Sequence, residues 1–336
     1  MTSMSAAQIL EVAAVRWLSL SALAVLIGML VLDVAILPPG APELAGARRR
    51  LRRWIGAAVV VLAAASVGEL ILRARTMSGG GFALALSVVP LVVTRTHFGL
   101  IWMARLATLG VLLGLSPASG RALRLIALVL AFGVALSTSL TGHAADWGDV
   151  TVTAVVDWGH VLAASAWAGG LVGLTVLARA ERNAWPPILF ASVVRRFSTL
   201  AGLCLLVVVG SGLHNVWWQL SAPSQLWTTE YGRVLAIKLL VVLALIGLGA
   251  VNRYALIPRL DGARRPAGFL QSAFGRIAAS GLDSASVSSR LTTNVAREAL
   301  LALVVLACTA LLGEFSPARQ VHKPMHHMET GQADDR

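Results

Sequence analysis

Residues 152–177 read VTAVVDWGHVLAASAWAGGLVGLTVL. Only Asp157 and His160 in this run can carry charge; every other side chain is apolar, small or a hydroxyl. A helix needs about 20 such residues to cross the hydrocarbon of a bilayer, so the run reads as a membrane span. An ionisable side chain inside a span is costly to place there and is a functional candidate for that reason. One stretch thus sets both the class of the protein and where to look for its chemistry.

The rest of the chain agrees. Of 336 residues, 57% are hydrophobic and 13% charged, and the mean hydropathy is +0.77. Soluble domains carry about a quarter charged residues. The expected fold is an all-α integral membrane protein, a bundle of about eight transmembrane helices. The spans are Trp17–Leu37, Trp54–Leu72, Phe98–Leu115, Ala122–Leu140, Val152–Leu177, Phe197–Leu220, Val234–Val251 and Glu298–Phe315. The segment Phe82–Val93 is apolar but short and holds Pro90, which suits an interfacial or re-entrant piece. If it crossed, the side of every later element would invert. No basic leader precedes the first span and no small-residue cleavage site follows it, so it is expected to be retained. Cys204 and Cys308 fall within spans and read as packing residues rather than a disulfide.

The net charge of +12 does not point to nucleic acid, because the arginines cluster between spans. With the N-terminus outside, the inner loops collect Arg48 to Arg53, Arg121 and Arg124, Arg179 to Arg196, and the arginines from Arg253 to Arg297. The loop from Gly142 to Thr151 has none. That bias orients both termini extracytoplasmically. The loop from Tyr254 to Arg297, rich in Arg, Ser and Gly, reads as a connector against anionic membrane lipid, with no phosphate loop for a nucleotide.

The chain also repeats weakly. Thr96-His97-Phe98-Gly99 with Arg105 returns as Thr229-Glu230-Tyr231-Gly232 with Lys238; Trp17 with Gly28 returns as Trp158 with Gly169. Four spans per unit would make two parallel repeats. The expected division is an N-terminal half at 1–140, a C-terminal half at 141–315 and an extracytoplasmic His/Met tail at 316–336. Arg105 and Lys238 are expected to snorkel to the outer interface; the alternative is that they fix a carboxylate such as Glu69 or Glu314.

With this topology all seven histidines fall toward the outer side. His160 lies about 12 Å and His214 about 9 Å below the outer ends of their spans, at helical rise. Glycines flank both, leaving room for close helix approach, an ion or a flat cofactor. Asp157, three residues before His160, shares its helical face and is placed to orient the ring as carboxylates do for metal-bound histidines. The plainer reading is a neutral histidine hydrogen-bonded to backbone or serine. His143, with Asp146 and Asp149 beyond it, is a third ligand or an entry point, and His97 a further candidate at the outer rim. The tail supplies His322, Met325, His326, His327 and Met328; imidazole with thioether suits copper, Cu(I) above all. Trp147, Trp158, Trp217, Trp218 and Trp227 form an aromatic belt.

These residues resemble a known family. Thr141-Gly142-His143, Asp157-Trp158-Gly159-His160 running into Trp167-Ala168-Gly169-Gly170-Leu171, Arg195-Arg196-Phe197-Ser198 leading to Gly210-Ser211-Gly212, and Tyr231-Gly232 with Lys238 closing on Asn252-Arg253 together resemble the copper resistance protein D family. The likeness runs from about Gly142 to Pro258, with weaker echoes from Trp17 to Leu140. It implies a bacterial inner-membrane protein of copper handling, without catalytic turnover, that moves copper across the membrane beside a periplasmic copper-binding partner. His143, His160 and His214 then become the copper contacts. Some members of the family carry a fused extracytoplasmic copper-binding domain, and none is expected here. From a different class, two histidines on facing helices also meet the needs of a haem b oxidoreductase with His160 and His214 as axial ligands.

Overall fold

The structure is a computed structural model and describes residues 5–79, 81–141, 151–181, 185–261 and 284–315. The helices are α1 (Ala6–Val31), α2 (Ala45–Ser78), α3 (Phe82–Arg95), α4 (His97–Leu115), α5 (Arg121–Leu140), α6 (Val152–Glu181), α7 (Pro187–Gln219), α8 (Gln225–Thr228), α9 (Glu230–Val251) and α10 (Ser284–Leu312). A π-helical turn extends α1 over Leu32–Ile36, and another extends α9 over Asn252–Leu256. Among the described residues there is no strand, and eight helices are long and apolar enough to cross a membrane. The chain is a multi-pass, all-α membrane bundle. Its last helix starts at Ser284 and its last candidate span at Ser286 rather than Glu298, because a polar, serine-rich lead-in continues the helix.

The short helix α3 does not cross. Arg73 near the end of α2 lies over the Phe98 ring at the start of α4, 5.4 Å from its centroid. Trp102 donates to the Ser66 carbonyl at 2.7 Å. The end of α2 and the start of α4 are therefore level, and α3 returns the chain to the side it left. Its buried residues Ala85 and Val92 pack on Leu70 and Ala74 of α2.

Helix α1 forms the centre, against α2, α5, α6 and α10. It crosses α6 where glycines meet: a Cβ on Gly28 would collide with the backbone of Gly169 and Gly170, and one on Gly169 with the Ala24 carbonyl. Small residues at such a crossing let two backbones touch where no hydrophobic drive exists between helices in lipid.

Local geometry repeats at the spacing the sequence repeats. The Thr96 hydroxyl caps α4 by accepting from Gly99 N at 3.0 Å and donates to the Val92 carbonyl at 2.6 Å. Thr229 caps α9 by accepting from Gly232 N at 3.0 Å and donates to the Gln225 carbonyl at 2.7 Å. In both, the glycine is required because a Cβ would strike the backbone of the preceding short helix. Between the halves, Trp17 donates to the Leu303 carbonyl on α10 at 3.0 Å, and Trp158 donates to the Phe132 carbonyl on α5 at 3.0 Å. Each half's first helix is braced by the other half's last.

Buried charge is paired. Arg105, 5% exposed, meets Glu69 at 3.0 Å and donates to the hydroxyls of Ser137 at 2.7 Å and Thr138 at 3.3 Å. Snorkelling is thus wrong for Arg105; a carboxylate inside the bundle competes successfully with the interface. Asp33, at the π-helical end of α1, holds Arg48 at 2.5 Å and Arg124 at 2.9 Å. Across the bundle Arg16 faces Glu314 at 3.9 Å, which sets the start of α1 beside the end of α10.

Candidate functional site

The first two helices of the second half build the site. His160 lies two turns into α6, and its Nδ1 is 2.8 Å from the Ser211 hydroxyl of α7. Ser211 Oγ is itself 2.5 Å from the Val207 carbonyl, which can only accept. The single hydroxyl proton therefore goes to Val207, and the Ser211 oxygen accepts from His160 Nδ1–H. That fixes the tautomer: Nδ1 carries the proton and Nε2 carries the lone pair a metal ion would use.

His214 follows Ser211 by one helical turn on α7 and lines a cavity of about 370 Å³ with Val156, Gly159, Leu206, Val207, Gly210 and Ser211. Its Nε2 is buried with no hydrogen-bond partner in the structure. Such a group is costly unless something else meets it. Its ring is tilted 57° to Trp218, centroids 6.3 Å apart. Nothing stands within 4 Å of a Cβ placed on Gly159 or Gly210, so these glycines leave open space. His160 and His214 occupy successive levels of one α6/α7 seam, not opposite flanks of the bundle.

The partner of His160 Nδ1 is Ser211 rather than Asp157. Asp157 instead lies within electrostatic reach of Arg16 and of Lys238 on α9. Lys238 on α9 stands within electrostatic reach of His160, Asp157 and Cys308. Cys204 and Cys308 are free and buried. His97 opens α4, which packs on α2, α3 and α5, and so belongs to the other half. His143 and the tail residues His322, Met325, His326, His327 and Met328 lie outside the described residues. Among the described residues no three of His, Cys, Asp and Glu are gathered to hold a metal ion. What the seam offers is two imidazoles and a hydroxyl.

The sequence reading passed over Ser211, which looked like one more small residue of α7, and Glu298, taken for the start of a span. Glu298 is 5% exposed and accepts from Asn252 Nδ2 at 2.6 Å, while Asn252 Oδ1 accepts from Asn294 at 3.0 Å. The signal was an acidic residue directly preceding an apolar run, Ala299 to Leu306.

Two family models match nearly the whole bundle: "Copper resistance protein D-like, N-terminal domain" over residues 7–152 and "Copper resistance protein D" over residues 191–312. The chain belongs to the copper resistance protein D family. The family's C-terminal model takes in Ser211, His214, Lys238 and Glu298; His160 falls between the two models. The chain is 28% identical to a copper resistance protein D of Pseudomonas syringae pv. tomato over 83% of its own length and 88% of the relative's. It is 32% identical to the copper transport protein CutJ of Bacillus subtilis over 61% of its own length; that stretch spans only 39% of CutJ. A shorter match, 29% identical over 30% of this chain and 34% of the relative, is to the inner membrane protein YebZ of Escherichia coli. No solved structure matches.

Proposed function

We propose that this protein carries copper across the bacterial inner membrane and serves copper resistance, with copper as its cargo. Support comes from the family, from relatives named for copper transport and copper resistance, and above all from the seam. There the His160–Ser211 hydrogen bond makes Nε2 the lone-pair nitrogen of His160, one turn from an unpartnered His214 Nε2. Two imidazoles are a low-coordination set that suits Cu(I), and a permease needs sites weak enough to release. In this reading both termini are extracytoplasmic. His143 and the His/Met tail capture the ion, in place of or beside a periplasmic copper-binding protein, and pass it to the seam.

The test is copper tolerance and cellular copper content in cells carrying His160→Ala or His214→Ala, with membrane levels of each variant matched. Both variants are expected to lose the copper phenotype; wild-type behaviour in both would remove the seam as the site. An absorption spectrum and metal analysis of the purified protein separate copper from haem b: a Soret band with about one iron per chain would replace the copper reading with bis-histidine haem ligation.

A further inference from the structure

The two halves differ where they are expected to match. In the first half α2 and α4 are locked together by Trp102 on Ser66 and by Arg105 on Glu69. In the second half their counterparts α7 and α9 meet at one end, where Tyr231 hydrogen-bonds Gln219 and packs near Val216 and Leu220. From there they splay apart. The cleft between them, toward the end carrying Arg195, Arg196 and Arg253, is a cavity of about 480 Å³ floored by Trp167, Leu171 and Leu174 of α6 and by α10. Its rims are the exposed faces of α7 and α9, with Leu206 72% and Leu243 63% exposed. A cleft between such faces opens sideways into the hydrocarbon.

Its polar groups are few and opposed. Arg253 donates through one guanidinium nitrogen to the Ser198 carbonyl at 2.7 Å and to its hydroxyl at 3.2 Å. That nitrogen would sit 3.5 Å from a Cβ on Gly202, one turn further along α7. Glu298 Oε1 takes Asn252 and would sit 4.0 Å from a Cβ on Gly249, one turn further along α9. Because Arg253 ties the end of α9 to Ser198, these turns are level. A cation and a carboxyl therefore flank the cleft at one depth, under apolar walls. Among the described residues no donor reaches the second oxygen of Glu298, and the other guanidinium N–H groups of Arg253 have no acceptor.

We propose that this cleft is a binding site for one zwitterionic phospholipid, with its acyl chain between α7 and α9, its phosphate on Arg253 and its ammonium on Glu298. Guanidinium is matched to phosphate by charge and by its fork of donors. Basic pockets between spans bind the phosphates of lipid headgroups, of anionic lipids in particular. The buried carboxyl opposite selects an amine-bearing headgroup over an anionic one. This cleft shares Leu206 with the wall of the histidine cavity but neither histidine lines it, and it does not depend on copper.

The test uses the full chain in nanodiscs of equimolar dioleoyl phosphatidylethanolamine and dioleoyl phosphatidylglycerol, extracted into mild detergent, with retained lipid counted by native mass spectrometry. Wild type is expected to keep one phosphatidylethanolamine per chain. Arg253→Gln should lower retention about tenfold, the loss of one charge-assisted contact. Glu298→Gln should keep a lipid but lose the preference for phosphatidylethanolamine. Gly249→Phe, which fills the cleft from the little-buried α9, should displace the lipid while unfolding at the wild-type temperature. Equal retention of both lipids by wild type, unchanged retention in Gly249→Phe, or a lipid-free dimer mass would each overturn the proposal.

Discussion

Gly28 of α1 and Gly169 of α6 meet backbone to backbone at equivalent positions of the two halves. Both helices carry a tryptophan eleven positions earlier, Trp17 and Trp158, that reaches the last helix of the opposite half.

At this crossing no side chain fits. Gly169→Leu must push α1 off α6, since the colliding atoms are backbone rather than a flexible side chain. Overpacking a close contact costs about 1–3 kcal/mol or more. Thermal unfolding in detergent should show a clear loss of stability, whereas Gly110→Leu, where nothing lies within 4 Å, should behave as wild type.

Arg105 is buried while its partner Glu69 is 23% exposed, so removing the carboxylate alone is worse than removing both groups. Glu69→Gln leaves the guanidinium with the Ser137 and Thr138 hydroxyls only and is expected to cost about 1–3 kcal/mol. Glu69→Gln with Arg105→Met should recover much of that loss. A double variant less stable than the single one would contradict the pairing.

On the proposed reading, Ser211 would act on a copper ion through His160. Ser211→Ala removes the acceptor that fixes the ring tautomer, and outer-shell partners of this kind are worth about 10–100-fold in metal affinity. Ser211→Thr, which keeps the hydroxyl, should restore binding. Copper titration of the purified variants reads this directly, with unfolding temperature as the control for fold.

Lys238 places a cation near the seam, acting on His160 and Asp157. Like charges repel more strongly in a low-dielectric interior than in water. Lys238→Gln is therefore expected to tighten copper binding, and to raise cellular copper if entry limits uptake. Weaker binding in the variant would mean that the lysine holds Asp157 in place for the site rather than opposing the ion.

The sequence made the spans plain because an apolar run of the right length has few other uses. It also marked α3 as too short to cross, and it showed a weak likeness between the stretches at 96–99 and 229–232, whose helix caps are built alike. It misjudged Arg105 for a physical reason. Sequence gives a residue's depth along its helix, but which neighbour its side chain faces depends on how the helices surround one another. Glu69 sits 36 positions before Arg105, and only packing brings the two together. His160 and His214 were legible because an imidazole in an apolar run stands out; Ser211 was not, because serine is common in membrane helices.

The exchange of braces between halves has a consequence for biogenesis. Trp17 leaves the ribosome near the beginning of synthesis, yet the carbonyl it needs belongs to Leu303, and Arg16 waits likewise for Glu314. The opening helix must linger in the bilayer, unmatched, until the final one is inserted. A chain truncated before α10 would leave that helix unclasped, a ready target for membrane proteases. Two polypeptides split within residues 142–150 should survive only when they are made together.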